Sequence, residues 1–136
     1  MKRSENTLDV SVLPAVVERL EQEDAVSAAY LLGSAADGRL RAESDVDIAL
    51  LPMRGASIGG LPRAELAADL ELIVGRPVDL GVLHTGNLVY AKEAVAHGRL
   101  IFERDPNARA RFVALVFSMY ADLQENRREV IHGYAA

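Results

Sequence analysis

Two short runs decide how this chain is read: Ala28-Ala29-Tyr30-Leu31-Leu32-Gly33-Ser34 and, after ten intervening residues, Asp45-Val46-Asp47-Ile48-Ala49-Leu50-Leu51. Each pairs an apolar run with residues that do not belong inside one. An apolar run of this length bounded by turn residues predicts a buried strand, here Ala28–Leu32 and Val46–Leu51. A small-residue turn therefore ends one strand, and two carboxylates open the next. Side chains alternate along a strand, so Asp45 and Asp47 project from one side. Like charges held that close repel unless a cation neutralises them. A Gly33-Ser34 turn lets backbone N–H groups approach a phosphate closely. The combination points to a site for a magnesium-bound nucleoside triphosphate.

A third acid adds to this. Arg76-Pro77-Val78-Asp79-Leu80-Gly81-Val82-Leu83 predicts another short strand with one aspartate in an apolar run. Aspartate is depleted in strands, and burying its charge without a partner is costly. Alone it would be a strand-end residue facing water. Three acids on adjacent strands can instead hold two metal ions about 4 Å apart, the arrangement used for in-line phosphoryl and nucleotidyl transfer.

The pattern Gly33-Ser34, ten residues, Asp45-x-Asp47, then Asp79 resembles the signature of the minimal nucleotidyltransferases of the DNA polymerase β-like superfamily. The chain is similar in particular to the MntA-type antitoxins of HEPN–MNT toxin–antitoxin pairs, including the C-terminal Ser118-Met119-Tyr120-x-x-Leu123-Gln124-x-x-Arg127 stretch. The resemblance implies transfer of AMP from ATP to a tyrosine hydroxyl of a HEPN-domain ribonuclease toxin, held with the chain in a hetero-oligomer. It implies that Gly33 and Ser34 contact the triphosphate and that Asp45 and Asp47 bind Mg²⁺. Asp79 would complete the metal site or take the tyrosine proton. Many members carry an arginine in the turn where this chain has Asp37, ahead of Gly38; Arg39 and Arg41 follow and suit phosphate chemically. Two other functions share the signature: an antitoxin that neutralises its toxin by occlusion alone, and an aminoglycoside-type nucleotidyltransferase. The second needs extra chain to enclose a drug.

Composition narrows the classes. At 136 residues the expectation is a single domain over 1–136 with one core. The net charge of −5 and the lack of a long basic run exclude nonspecific nucleic-acid binding through a broad positive field. With no cysteine, disulfides, thiolate catalysis and Cys-based zinc sites are excluded. Ser4-Glu5-Asn6 stands where a signal peptide needs apolar residues, and no run reaches the ~20 apolar residues of a membrane span. The expectation is a cytoplasmic chain without membrane contact. His84, His97 and His132 lack metal-ligand spacing, although His84 lies just past the Asp79 strand. Neither a Gly-x-Ser-x-Gly elbow nor a Walker A loop is present.

Helical spacing predicts a first helix over Val12–Glu23, with Pro14 in its first turn. A second opens at Pro62, with Leu66, Leu70, Ile73 and Val74 on one face, Glu65, Asp69 and Glu71 in water, and Gly75 as its cap. A third, capped by Thr85, covers Asn87–Ala96. After an edge strand at Arg99–Glu103, Asp105-Pro106 starts a long final helix to about Ile131. The predicted class is α/β (α+β), a nucleotidyltransferase fold with a short mixed sheet of about four strands packed against helices. On the last helix Phe112, Leu115, Val116, Met119 and Leu123 form the stripe expected to face the sheet. Phe117 and Tyr120 lie off it, and Tyr120 with Gln124, Arg127 and Arg128 is expected to help dock a protein partner.

Overall fold

In a computed structural model, residues 10–33 and 45–135 are described, the last four without their side chains. Four strands form one sheet: β1 (Val26–Leu31), β2 (Val46–Pro52), β3 (Val78–Val82) and β4 (Arg99–Glu103). Their spatial order is β3-β2-β1-β4. β1 runs antiparallel to both β2 and β4, whereas β2 and β3 are parallel. The parallel pair follows from the connection, because α2 (Gly60–Val74) carries the chain back across the sheet before β3 begins. The remaining helices are α1 (Leu13–Glu21), α3 (Leu88–His97) and α4 (Pro106–Ala135).

The period-two pattern sorts the strands into two unlike faces. On one, Val26, Ala29 and Leu31 of β1, Val46, Ile48 and Leu50 of β2, and Val78 and Leu80 of β3 meet Val16 and Leu20 of α1 and Leu66 and Leu70 of α2. Leu20, Leu50 and Leu70 are fully buried there. Each such leucine contributes about 1.5–3 kcal/mol through the apolar surface it removes from water. On the other face Ala28, Tyr30, Ala49 and Leu51 meet Ala91 and Ala94 of α3 and Val116 of α4.

Ends and caps explain where the elements stop. Pro14 sits in the first turn of α1, as its missing N–H allows. Gly75 closes α2 in the left-handed conformation, φ 73°, with its N–H donating to Glu71 O. Asp105 Oδ1 accepts from the N–H groups of Asn107 and Ala108, both at 3.1 Å, so the aspartate caps α4 ahead of Pro106. Arg104 reaches back to the carbonyls of Glu21 (2.9 Å) and Val26 (2.9 Å), tying the end of β4 to the C-terminus of α1, where a cation suits the helix dipole.

Several sequence expectations change. α1 stops at Glu21, and β1 begins at Val26, two residues before the predicted start. Thr85 does not cap α3: it opens a 3-10 turn, Thr85–Asn87, with no side-chain cap bond. Asp69 is not simply in water, since it accepts a 2.7 Å hydrogen bond from Arg19 Nε and joins α2 to α1. On α4, Val116 is buried and Phe112 packs on the sheet, but Leu115 is 50% exposed; one stripe of a 30-residue helix cannot stay against a sheet of short strands. Tyr120 is half-buried beneath Lys92 of α3, whose Nζ lies 5.0 Å from the ring centroid, so its first role is to join two helices. Among the described residues no helix is long and apolar enough to cross a membrane.

Candidate active site

The parallel pairing of β2 with β3 decides the geometry. Asp47 and Asp79 are register partners across that ladder, so their side chains leave the sheet side by side on one face. It is the face of Ala49, Leu51 and α3, and both acids are exposed because the helices do not extend over the starts of these two strands. The Val46 N–H donates to Pro77 O at 2.8 Å and fixes this register immediately before the acids.

The glycine turn arrives from the other flank. The Leu32 N–H donates to Asp47 O at 2.9 Å, which lays the end of β1 against the first acid. Gly33 then takes φ 61°, where a side chain would be strained. A Cβ built on it would lie 3.9 Å from Asp47 Oδ2, so the turn backbone approaches that carboxylate closely. Ser34, Asp37, Gly38, Arg39 and Arg41 lie outside the described residues, and their expected roles with them.

Electrostatics mark the same spot. The Asp47 carboxyl is pushed above the usual aspartate range, first by burial, then by the charge of Asp79, then by that of Asp45. Asp45 precedes the first residue of β2 and is exposed. Among the described residues no three acids or histidines close to metal-binding distance, so the expected trio is a register pair with a third acid nearby. The donor set still fits a hard divalent cation: oxygen ligands only, paired across neighbouring strands, with one proton affinity already raised by its neighbours.

Tyr90 and Arg63 were not expected here. Tyr90, on α3, places its hydroxyl against Gly81, where a Cβ would collide with the hydroxyl and come within 2.7 Å of Cζ. Its phenol is pushed up, first by burial and then by the charges of Asp79 and Asp47, with Arg63 opposing. The Arg63 guanidinium donates to the carbonyl of Leu80 on β3. With Asp79, His84 and Asn87 these residues line a cleft of about 390 Å³ along the outer side of β3. The signal was in the sequence: a glycine inside a strand, such as Gly81, marks a place where something approaches the backbone. A second cavity of about 390 Å³, lined by Leu32, Gly33, Glu93, His97 and Gly98, lies on the glycine-turn side.

Comparison with known families agrees with this architecture. Residues 15–107 match the model of the polymerase β nucleotidyltransferase family, "Polymerase beta, Nucleotidyltransferase". The chain belongs to that nucleotidyltransferase family. Among solved structures it is similar to an MntA–HepT toxin–antitoxin complex bearing two aspartate-to-glutamate substitutions two positions apart, at 25% identity and TM-score 0.74, covering 91% of this chain and 98% of that one. A toxin–antitoxin structure with AMP-PNP matches at 26% identity and TM-score 0.71, covering 95% and 100%. The fold is also shared by the MNT antitoxin solved with the tri-AMPylated HEPN toxin of Shewanella oneidensis, at 24% identity and TM-score 0.69, covering 93% and 98%. No curated protein matches the sequence.

Proposed function

We propose that this chain is an MntA-type antitoxin that transfers AMP from ATP to a tyrosine hydroxyl of a HEPN-domain ribonuclease toxin and so silences it. The observation that carries the reading is the pairing of Asp47 with Asp79, flanked by the Gly33 turn on one side and an open cleft on the other. The nucleotide donor follows from the relative that holds AMP-PNP, and the acceptor from the relative solved with an AMPylated HEPN toxin. A protein acceptor also suits α4, which leaves Leu115, Phe117, Val130 and Ile131 at 43–67% exposure.

Asp45, Asp47 and Asp79 would hold the magnesium ions. When bound, these neutralise triphosphate charge and polarise the reacting oxygens. The chain's own contributions are separate. The backbone at the Gly33 turn would meet terminal phosphate oxygens. Asp47, at the centre of the acid set, would hold the cation that neutralises the phosphate charge. Asp79, one strand further out, accepts the proton from the tyrosine hydroxyl. Asp45 and Asp47 orient the donor through the cation they would hold.

The decisive test is incubation with labelled ATP, Mg²⁺ and a co-encoded HEPN protein. Label on a partner tyrosine, with loss of its ribonuclease activity, is the expected result. Tight binding that silences the toxin without label, across several divalent metals, would establish occlusion instead. Label on an aminoglycoside and none on protein would establish the small-molecule reaction.

A further inference from the structure

We propose that the cleft between the end of β2 and the first turns of α4 is a second nucleotide site, which holds a free nucleotide through Arg54 and Arg111 without a metal ion. It lies apart from the acid pair and does not depend on the adenylyl-transfer reading.

Its position follows from the run of β2. Asp47 stands near the start of that strand, and Leu51 lies four residues on along the same face, roughly 13 Å away. Ala49, between them, is fully buried in the layer with α3 and α4, so packed chain separates the two openings. Past Leu51 the walls are Pro52 and Arg54 on one side and Ala108, Arg111 and Phe112 of α4 on the other, around a volume of about 320 Å³.

Charge selects the occupant. The chain carries a net charge of −5, yet among the described residues no acid lines this cleft. The acids that precede α4 are already engaged: Glu103 accepts from Arg109, and Asp105 caps the helix through the N–H groups of Asn107 and Ala108. Arg54 and Arg111 are exposed, and among the described residues neither has an ion pair. Guanidinium groups in that state suit phosphate oxygens. Leu51, Pro52 and the half-buried ring of Phe112 supply an apolar surface on which a planar base can pack. The volume stands at the small end of small-molecule sites. The negative field of the rest of the chain opposes a long polyanion, so the fit is to a single nucleotide. With no carboxylate in the lining, the phosphates meet the arginines directly.

Titration calorimetry of the full chain with ATP in excess EDTA isolates this site, because the acid pair needs a divalent cation to take a triphosphate. ATP should bind with a Kd at or below about 1 mM and more weakly as salt is added. Inorganic triphosphate, which lacks the base, should bind about fivefold or more weakly than ATP. Arg54→Gln combined with Arg111→Gln should raise the Kd for ATP by about tenfold or more, with the far-UV circular dichroism of wild type. Asp47→Asn should leave that Kd within about twofold. The site is overturned if ATP does not bind in EDTA, if the double variant binds it as well as wild type, or if Asp47→Asn abolishes the binding. Equal affinity for inorganic triphosphate would overturn the nucleotide assignment. If ATP fails to bind and the double variant instead loses its hold on the HEPN protein, the face is a protein-docking surface and the proposal falls. ATP binding in EDTA by a chain that transfers no AMP would uphold this site while the adenylyl-transfer reading fails.

Discussion

The two faces of the sheet are built from different residues for different work. The α1/α2 face buries Val, Ile and Leu from every layer, and its core is continuous from Val16 to Leu80. The α3/α4 face is half alanine: Ala28, Ala49, Ala91 and Ala94. Small residues let α3 come close to the strands but supply little apolar surface to hold it there. The glycines go further in the same direction, with Gly81 receiving the Tyr90 hydroxyl and Gly98 turning where a Cβ would meet Leu32 Cδ2 at 2.9 Å. One face is a dry slab that keeps the fold. The other is thin, ends short of the starts of β2 and β3, and leaves two carboxylates in the open.

The comparison breaks most sharply at Asp47. Asp47→Asn keeps the shape and removes one charge from the open face, so transfer of AMP should fall by roughly 10³-fold or more, about 4 kcal/mol of lost transition-state stabilisation. The fold should be retained by circular dichroism. Label transferred by the Asn variant at the wild-type rate would remove Asp47 from the chemistry. Leu70→Ala attacks the opposite face. It removes a fully buried leucine from the slab and should cost about 2–5 kcal/mol in denaturant unfolding. Transfer per folded molecule should be unchanged under conditions where the variant is folded. A drop in kcat as large as that of Asp47→Asn would mean that the faces are not separable.

Gly81→Ala probes the seam between the two. The added methyl collides with the Tyr90 hydroxyl, so the ring must shift or α3 must lift, at about 1–3 kcal/mol. Because Tyr90 faces the acids, transfer should fall as well. A double-mutant cycle with Tyr90→Ala isolates the contact: Gly81→Ala should cost little once the ring is gone. Equal cost with and without Tyr90 would show that the glycine is needed for its backbone and not for the clearance it gives.

How much of this could be read from the sequence follows the same division. The slab is legible because its signals are local: apolar runs for strands, Leu66 and Leu70 at helical spacing, Gly75 and Asp105-Pro106 as stop and start. The polymerase β pattern was legible too, since Gly33 and the Asp45-x-Asp47 pair are close in the chain. Strand order was not, because nothing local says that β1 rather than β3 lies between β2 and β4. Neither was the acid pair's exact register, which depends on hydrogen bonds between segments some thirty residues apart. Tyr90 and Arg63 were missed for a related reason: an aromatic on an amphipathic helix looks like core until the glycine it covers is known. Leu115 shows the converse error, an apolar residue assigned to packing although the helix outruns the sheet beneath it.

The finest test of the comparison is the same Asp47→Asn variant measured for stability without nucleotide or metal. Burial and the charges of Asp79 and Asp45 raise the Asp47 carboxyl in the folded state relative to the unfolded chain. A raised acid binds more protons folded than unfolded, so stability is highest below its ordinary titration range and falls as pH climbs through the raised value. At neutral pH the ionised carboxylate therefore costs stability, and asparagine removes that cost. The site is open to solvent, which screens the repulsion to at most about 0.5 kcal/mol, a rise in Tm of roughly 1–3 °C. The gain should shrink as the pH is lowered through the carboxyl's raised range, and in high salt, where the charges are screened. A variant less stable than wild type at neutral pH would mean that Asp47 is held by favourable contacts, and the open face would then belong to the scaffold as much as the slab does.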